Sequence, residues 1–310
     1  MTKTYEISLG KDILNDNIIL ITGPSRMGKT LLSRFLSTYE NVEWIEEPYS
    51  LRFLIEMCAN GQIDRKTFKK IFTANIHELF IDQILLRCAN FRPNDLSNIW
   101  DQKSIQEILC RIESIKSRED VEMYKKRISP YFIIDIPDIL PYVHLLRDFC
   151  KNLTVICVVR NPYDAAEDYV EKKWFDEAGK QNTYNDVYRN YEDKKVFGWL
   201  RQGDEEAFLK SSPYERGIIY WLSILDYDGI DDPYMGYDIC IKYEDITENI
   251  DSVICKLSKY IDLLDHSTPM SKAAKSRIHK AEQKKEKRDL EFVDKKRLIN
   301  ALEKYGYEDR

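Results

Sequence analysis

Gly23-Pro24-Ser25-Arg26-Met27-Gly28-Lys29-Thr30 is a complete G-x-x-x-x-G-K-[ST] phosphate loop, and its flanks decide how it is read. The apolar run Ile18-Ile19-Leu20-Ile21 precedes it, as a buried strand would. Leu31, Leu32, Phe35, Leu36 and Tyr39 follow at spacings that share one helix face. Strand, glycine loop and helix in that order bring backbone N–H groups and a helix N-terminus around an anion. The loop therefore predicts a bound phosphorylated nucleotide. A turn that matches the pattern by chance is the plainer alternative, and both flanks speak against it.

The same pattern of strands and helices continues along the chain. A helix is expected from Lys29 to about Tyr39, then a strand over Val42 to Ile45 that ends at Glu46-Glu47-Pro48, where the proline stops it. Residues 50 to 128 have helical periodicity with charged faces, as a helical insertion on one edge of a sheet would. Tyr131 to Ile134 reads as a third strand, leading into Asp135-Ile136-Pro137. Leu153 to Val159 is a continuous β-branched apolar run, as a strand buried on both faces requires. A short fifth strand covers Ile239 to Lys242. This alternation predicts an α/β fold with a doubly wound, mainly parallel five-stranded sheet in a single domain over 1–310. In such sheets ligands bind beyond the carboxyl ends of the strands. The polar clusters at 23–30, 46–48, 135–138, 160–164 and 243–245 all fall there. Residues 176 to 215 are polar with scattered aromatics and read as a mobile loop or lid. The C-terminal segment from about 270 is basic between Lys272 and Arg288, which reads as a solvated helix face or a cationic flap over a phosphate.

Composition narrows the classes. The 310 residues carry 47 Lys+Arg against 53 Asp+Glu, a net charge of −6, so nothing in the balance suggests a nucleic-acid partner. No apolar stretch approaches the roughly 20 residues of a membrane span. Met1 to Asp16 is polar, unlike a signal peptide. Seven scattered cysteines argue against a disulfide framework or a zinc site, and suggest a reduced cytoplasmic setting. His77 and His144 read as packing residues on helices. Trp174, Phe175, Tyr184, Tyr188, Trp199, Tyr220 and Trp221 either stack on an acceptor molecule or belong to the core.

Cys157-Val158-Val159-Arg160-Asn161-Pro162-Tyr163-Asp164-Ala165-Ala166 is a buried strand followed by R-[ND]-P-x-D-x-[AV]. It resembles the second phosphate-binding segment of the P-loop sulfotransferase superfamily. Pro24 to Leu32 resembles that family's [KR]-[ST]-G-T-[TS]-x-L loop, Asp135-Ile136-Pro137 its D-K-[ST]-P, Tyr243-Glu244-Asp245-Ile246 its Y-E-D-L, and Gly306-Tyr307 its closing G-Y. The resemblance implies a fold of nucleotide-kinase/sulfotransferase type. It also implies transfer of a sulfuryl group from 3′-phosphoadenosine 5′-phosphosulfate to a hydroxyl or amine of a carbohydrate or small molecule. It places Gly23, Ser25, Met27, Gly28, Thr30 and Leu31 around the nucleotide, with Arg26 and Lys29 neutralising charge on the bridging oxygen. Arg160 would hold the 3′-phosphate through its planar fork. Glu47, with Glu46 as the alternate, would take the acceptor's proton. The plainer alternatives are a carboxylate pair beside a helix N-terminus for Glu46 and Glu47, and a structural ion pair of Arg160 with Asp164.

Four departures stand against the pattern. Asp168 lies where the family has a phosphate-binding serine, Ile136 where it has lysine, and Lys29 where it has threonine. Arg277-Ile278-His279-Lys280 is only a weak substitute for its R-K-G segment. Lys29 keeps a second class open, a P-loop kinase or ATPase using Mg-ATP. There Thr30 and Asp135 would hold the metal, Asp135 ending the Walker-B-like run Tyr131 to Asp135. In the sulfotransferase reading no metal is required. A third class is a sulfotransferase-like protein that binds a nucleotide without catalysis, with Asp168 marking a lost 3′-phosphate site.

Overall fold

The computed structural model describes residues 14–176, 187–227, 229–232, 234–262 and 288–309. Five strands, β1 (Leu14–Thr22), β2 (Val42–Glu46), β3 (Tyr131–Asp135), β4 (Cys150–Val159) and β7 (Ile239–Lys242), form one sheet in the order β2-β3-β1-β4-β7. Every neighbouring pair runs parallel. The expected doubly wound α/β sheet is therefore what the chain forms. Strands at the centre of such a sheet are covered on both faces, which explains the unbroken apolar runs Ile18 to Ile21, Phe132 to Ile134 and Val155 to Val159, all buried. Register aligns the strand ends: Ile21 pairs with Asp135, Glu46 with Asp135, Thr22 with Cys157, and Val159 with Lys242. The residues just past those ends emerge together along one rim.

Several boundaries move for local reasons. Helix α1 (Lys29–Leu36) stops three residues short of Tyr39. Ser37 and Thr38 turn their hydroxyls onto the Arg34 and Phe35 carbonyls, both at 2.8 Å, and compete with the helical ladder there. Strand β4 begins at Cys150 rather than Leu153 because β1 itself reaches back to Leu14, which pairs with Cys150 across a register irregularity.

The helical stretch comprises α2 (Tyr49–Ala59), α3 (Arg65–Ile84), α4 (Ile105–Ser114) and α5 (Arg118–Ile128). Helix α3, capped by Asp64, does more than extend an edge. Phe80 stacks on Phe132 of β3 with ring centroids 3.7 Å apart, and Phe68 and Phe72 close on Phe149, so the helix lies across a sheet face. Helix α4 is tied to the edge strand by buried charge: Arg111 donates to Glu43 of β2 at 2.5 Å, with Lys103 Nζ 3.5 Å from the same carboxylate.

Beyond the short α6 (His144–Arg147) and α7 (Pro162–Glu171), the reading of 176–215 as a mobile loop is corrected for its described residues. They form the hairpin β5 (Tyr188–Tyr191) and β6 (Lys194–Phe197), then α8 (Glu205–Lys210) and the start of α9 (Pro213–Leu225). The few apolar residues are aromatics without period, so the pattern hid a core. Phe175, Phe197, Trp199 and Phe208 pack edge-on and stacked around one another, all buried. Residues 177–186, with Tyr184, lie outside the described residues, as does the basic stretch except Arg288. Arg288 pairs with Glu167 at 2.8 Å, as a surface residue would. A closing helix, Lys295–Tyr305, packs on α9 through Tyr305 and Trp221. No helix among the described residues is long and apolar enough to cross a membrane.

The Glu43 cluster makes a test of how the helical stretch is held. Replacing Glu43 by Gln leaves Lys103 and Arg111 with only the partly exposed Glu107 carboxylate between them, so Glu43→Gln should lose about 3 kcal/mol in urea unfolding. A loss under about 1 kcal/mol would show that the cluster is solvated and carries little.

Candidate functional site

The phosphate loop turns on two glycines. Gly23 has φ 126°, and a Cβ there would lie 2.4 Å from the Val158 carbonyl oxygen of β4. Gly28 has φ 90° and caps α1; a Cβ there would lie 2.3 Å from the Tyr243 ring. Between them Arg26 sits at φ 66°, the left-handed region that a residue with a side chain occupies only under constraint. Lys29 is buried and folds back over its own loop, donating to the Pro24 carbonyl at 2.7 Å. Met27 points into the core and pins the loop from behind.

Above the loop opens a cleft of about 830 Å³. Ser25, Arg26, Gly28, Lys29, Thr30 and Leu31 form its floor, with Glu47, Arg160 and Asp168 on its walls. Most of the residues singled out in the sequence thus come together. Gly23, Met27 and Asp135 do not line it; they stand behind it. Glu46 also does not, because Glu47 leaves the strand at φ 37° and the two side chains part. Glu46 faces a separate cavity of about 360 Å³ beside Ser97, while Glu47 faces the cleft and accepts the Tyr49 hydroxyl at 2.6 Å.

Arg160, just past β4, donates to Asp168 at 2.6 Å and lies over the Tyr243 ring at 5.0 Å. Its strong carboxylate partner is therefore Asp168, one α7 turn beyond the Asp164 expected for it. The three late sequence motifs interlock around it. In α10 (Tyr243–Glu248), Glu244 accepts the Asn161 N–H at 3.1 Å with one oxygen and the Tyr307 hydroxyl at 2.9 Å with the other. Lys242 donates to the Gly306 carbonyl at 2.7 Å. Trp221 of α9 donates to the Arg160 carbonyl at 3.1 Å.

Asp135 lies under the loop, wholly buried, with Ser33 Oγ 3.4 Å from one oxygen and no partner among the described residues on the other. Burial pushes its carboxyl up to about 7, against the pull of Lys29 and of a hydrogen bond from Thr30. Asp138 is also pushed up by burial, with Arg52 opposing.

The sequence reading missed Arg52, Lys173 and Phe197, which line the cleft; it gave Asp138 and Tyr243 a place only within the polar clusters at the strand ends, and Lys172 only as a neutraliser of Asp168. Arg52 and Glu56 carry the one available signal, an i,i+4 ion pair inside the apolar stretch of α2. Of the aromatics in question, Trp174, Phe175, Trp199 and Tyr220 line the cleft, while Trp221 is core.

Neither a family model nor a curated protein matches the chain. Solved structures do. The sulfotransferase domain of the Synechococcus PCC 7002 olefin synthase matches at 14% identity and TM-score 0.46, over 98% of this chain and 100% of that one. The sulfotransferase domain from the curacin biosynthetic pathway matches at 14% identity and TM-score 0.43, over 96% and 100%. Sulfotransferase STF9 from Mycobacterium avium matches at 11% identity and TM-score 0.42, over 95% and 77%. At these identities and TM-scores the likeness says nothing of activity, which has to be read from the cleft itself.

Asp135 gives a pH test. Its folded pKa is raised, so its contribution is fully present below its ordinary value of 3.8 and is lost as pH rises through about 7. Asp135→Asn should therefore raise the melting temperature at pH 8 and flatten its pH dependence between those values. An unchanged slope would mean that Asp135 is ionised throughout.

Proposed function

We propose that the cleft binds 3′-phosphoadenosine 5′-phosphosulfate and transfers its sulfuryl group to a hydroxyl or amine of a small molecule or carbohydrate. One observation carries the reading. The loop, the arginine segment and the late Tyr-Glu-Asp segment meet at one point, where Tyr243 lies against Gly28 and beneath Arg160. A plain nucleotide-triphosphate site has no need of that junction.

The 5′ end of such a nucleotide fits. The loop presents its backbone to the cleft at Gly28, where no Cβ intrudes, and the N-terminus of α1 adds its dipole. The 3′ end fits once Arg160 exchanges the Asp168 carboxylate for phosphate oxygens. When bound, the nucleotide supplies the sulfuryl group and a phosphate as leaving group. Arg26 and Lys29 carry the positive charge that offsets charge on the departing oxygen. Glu47, on the cleft wall and already accepting the Tyr49 hydroxyl, takes the proton from the acceptor. Trp174, Phe175, Phe197 and Trp199 give the acceptor an aromatic wall.

A second reading, Mg-ATP and phosphoryl transfer, is favoured by one arrangement. Asp135 lies buried beneath the loop that carries Lys29 and Thr30, with one carboxylate oxygen unpartnered among the described residues, and these are the side-chain types such a site uses for its metal and phosphates.

Thermal shift separates the two. Adenosine 3′,5′-bisphosphate at a hundredfold excess over its Kd should stabilise the chain by about 2.7 kcal/mol, with or without EDTA. Stabilisation by Mg-ATP alone would give the site to the second reading. Glu47→Gln should abolish turnover while leaving bisphosphate affinity within about twofold, because its loss removes a proton acceptor and no phosphate contact. Arg160→Ala should weaken the bisphosphate about tenfold or more and ADP much less, and Asp168→Ala should tighten the bisphosphate. Equal losses for the two nucleotides in Arg160→Ala would remove Arg160 from the 3′ side.

A further inference from the structure

The Ser25 peptide of the phosphate loop is held on both sides by side chains from distant elements. Tyr220 of α9 accepts its N–H at 2.7 Å, and Tyr169 of α7 donates to its carbonyl at 2.6 Å. The Tyr220 hydroxyl has one proton and gives it to Asp138 Oδ1. Asp138 Oδ2 lies 3.2 Å from Arg52 of α2, and Arg52 donates to Glu56 at 2.8 Å. The direction of every bond is thereby set. Ser25 gives to Tyr220, Tyr220 gives to Asp138, and Arg52 gives to Asp138 from the other side. Asp138 is itself fixed at φ 67°, and its N–H donates to the Gly23 carbonyl at 3.1 Å, so it grips the loop at two places.

The residue after Ser25 is the one that needs such support. Arg26 sits in the left-handed region, a strained conformation that persists only where its surroundings over-determine it. Within the chain Arg52–Asp138–Tyr220 every member is buried, where a completed hydrogen bond counts for more and a broken one leaves a costly orphan. Helix α2 belongs to the helical stretch outside the sheet, so the chain carries the position of that stretch to the loop.

We infer that Tyr220, Asp138 and Arg52 are positioning residues that set the conformation of the phosphate loop through the Ser25 peptide. The inference rests on the loop being a phosphate site and not on which group is transferred.

The test uses the full chain, pyrophosphate as ligand, and the exchange rate of the Ser25 amide by NMR, alongside the melting temperature. Tyr220→Phe keeps the ring and removes the hydroxyl. It should speed Ser25 amide exchange and weaken pyrophosphate about tenfold, the worth of roughly one buried hydrogen bond. Arg52→Met removes a cation that lines the cleft but makes no hydrogen bond to the loop, so its deciding readout is Ser25 exchange in the ligand-free chain, which should speed up as in Tyr220→Phe. Arg52→Lys, which restores the charge beside Asp138, should recover part of that protection and serves if the other variants fold poorly. Lower melting temperatures with unchanged Ser25 exchange and unchanged pyrophosphate affinity would reduce the chain to packing and overturn the proposal. If pyrophosphate fails to bind the unaltered protein, the phosphate-site reading falls, and Ser25 exchange in Arg52→Lys and Tyr220→Phe still decides whether the chain acts on the loop.

Discussion

The phosphate loop lies closer to β4 and to Tyr243 than any side chain on its glycines would allow. Val158 presents its carbonyl where a Cβ of residue 23 would be, and the Tyr243 ring stands where a Cβ of residue 28 would be. That proximity governs the rest of the cleft. It puts the end of β1 within reach of the ends of β4 and β7, and it lets Arg160 rest on the same tyrosine that closes on Gly28. A loop displaced by one methyl group would part these contacts, and packed interiors have little slack to recover them.

Charge around the loop is finely divided. Arg160 is already matched to a carboxylate inside the protein, while Lys29 donates to a carbonyl of its own loop. An incoming phosphate therefore meets cations that must change partners. Selection then rests on which ligand replaces those partners well, since a ligand that leaves Asp168 or the Pro24 carbonyl unpaired bears the cost of the orphan.

Much of this was legible in the sequence, for reasons that differ by residue. Both-face burial writes itself as apolar runs, so three of the five sheet strands were placed within a residue of their ends, while β1 and β4 were missed where polar residues, Asn15 to Asn17 and Lys151 with Asn152, extend them past those runs. The loop and Arg160 were legible because turns and strand ends carry distinctive residues. Glu46 and Glu47 could not be told apart, because the choice lies in one backbone angle at residue 47 and not in any side chain. The aromatic cluster from Phe175 to Phe208 was mistaken for a loop because its contacts are between elements and leave no period along the chain. The links between Arg52, Asp138 and Tyr220 were hidden for the same reason: each spans many residues of sequence, and only the i,i+4 pair of Arg52 with Glu56 leaves a local trace.

The Glu244 carboxylate has a consequence for when the cleft can exist. One oxygen holds the backbone beside Arg160, and the other holds Tyr307, a residue 63 positions further along the chain. Tyr243 and Arg160 owe their mutual placement to a tie that is closed from its late end. A ribosome-bound chain can build most of the sheet as its strands emerge. The anion-binding face stays unfinished until Tyr307 has cleared the exit tunnel, so the protein would acquire its fold before it acquires its site.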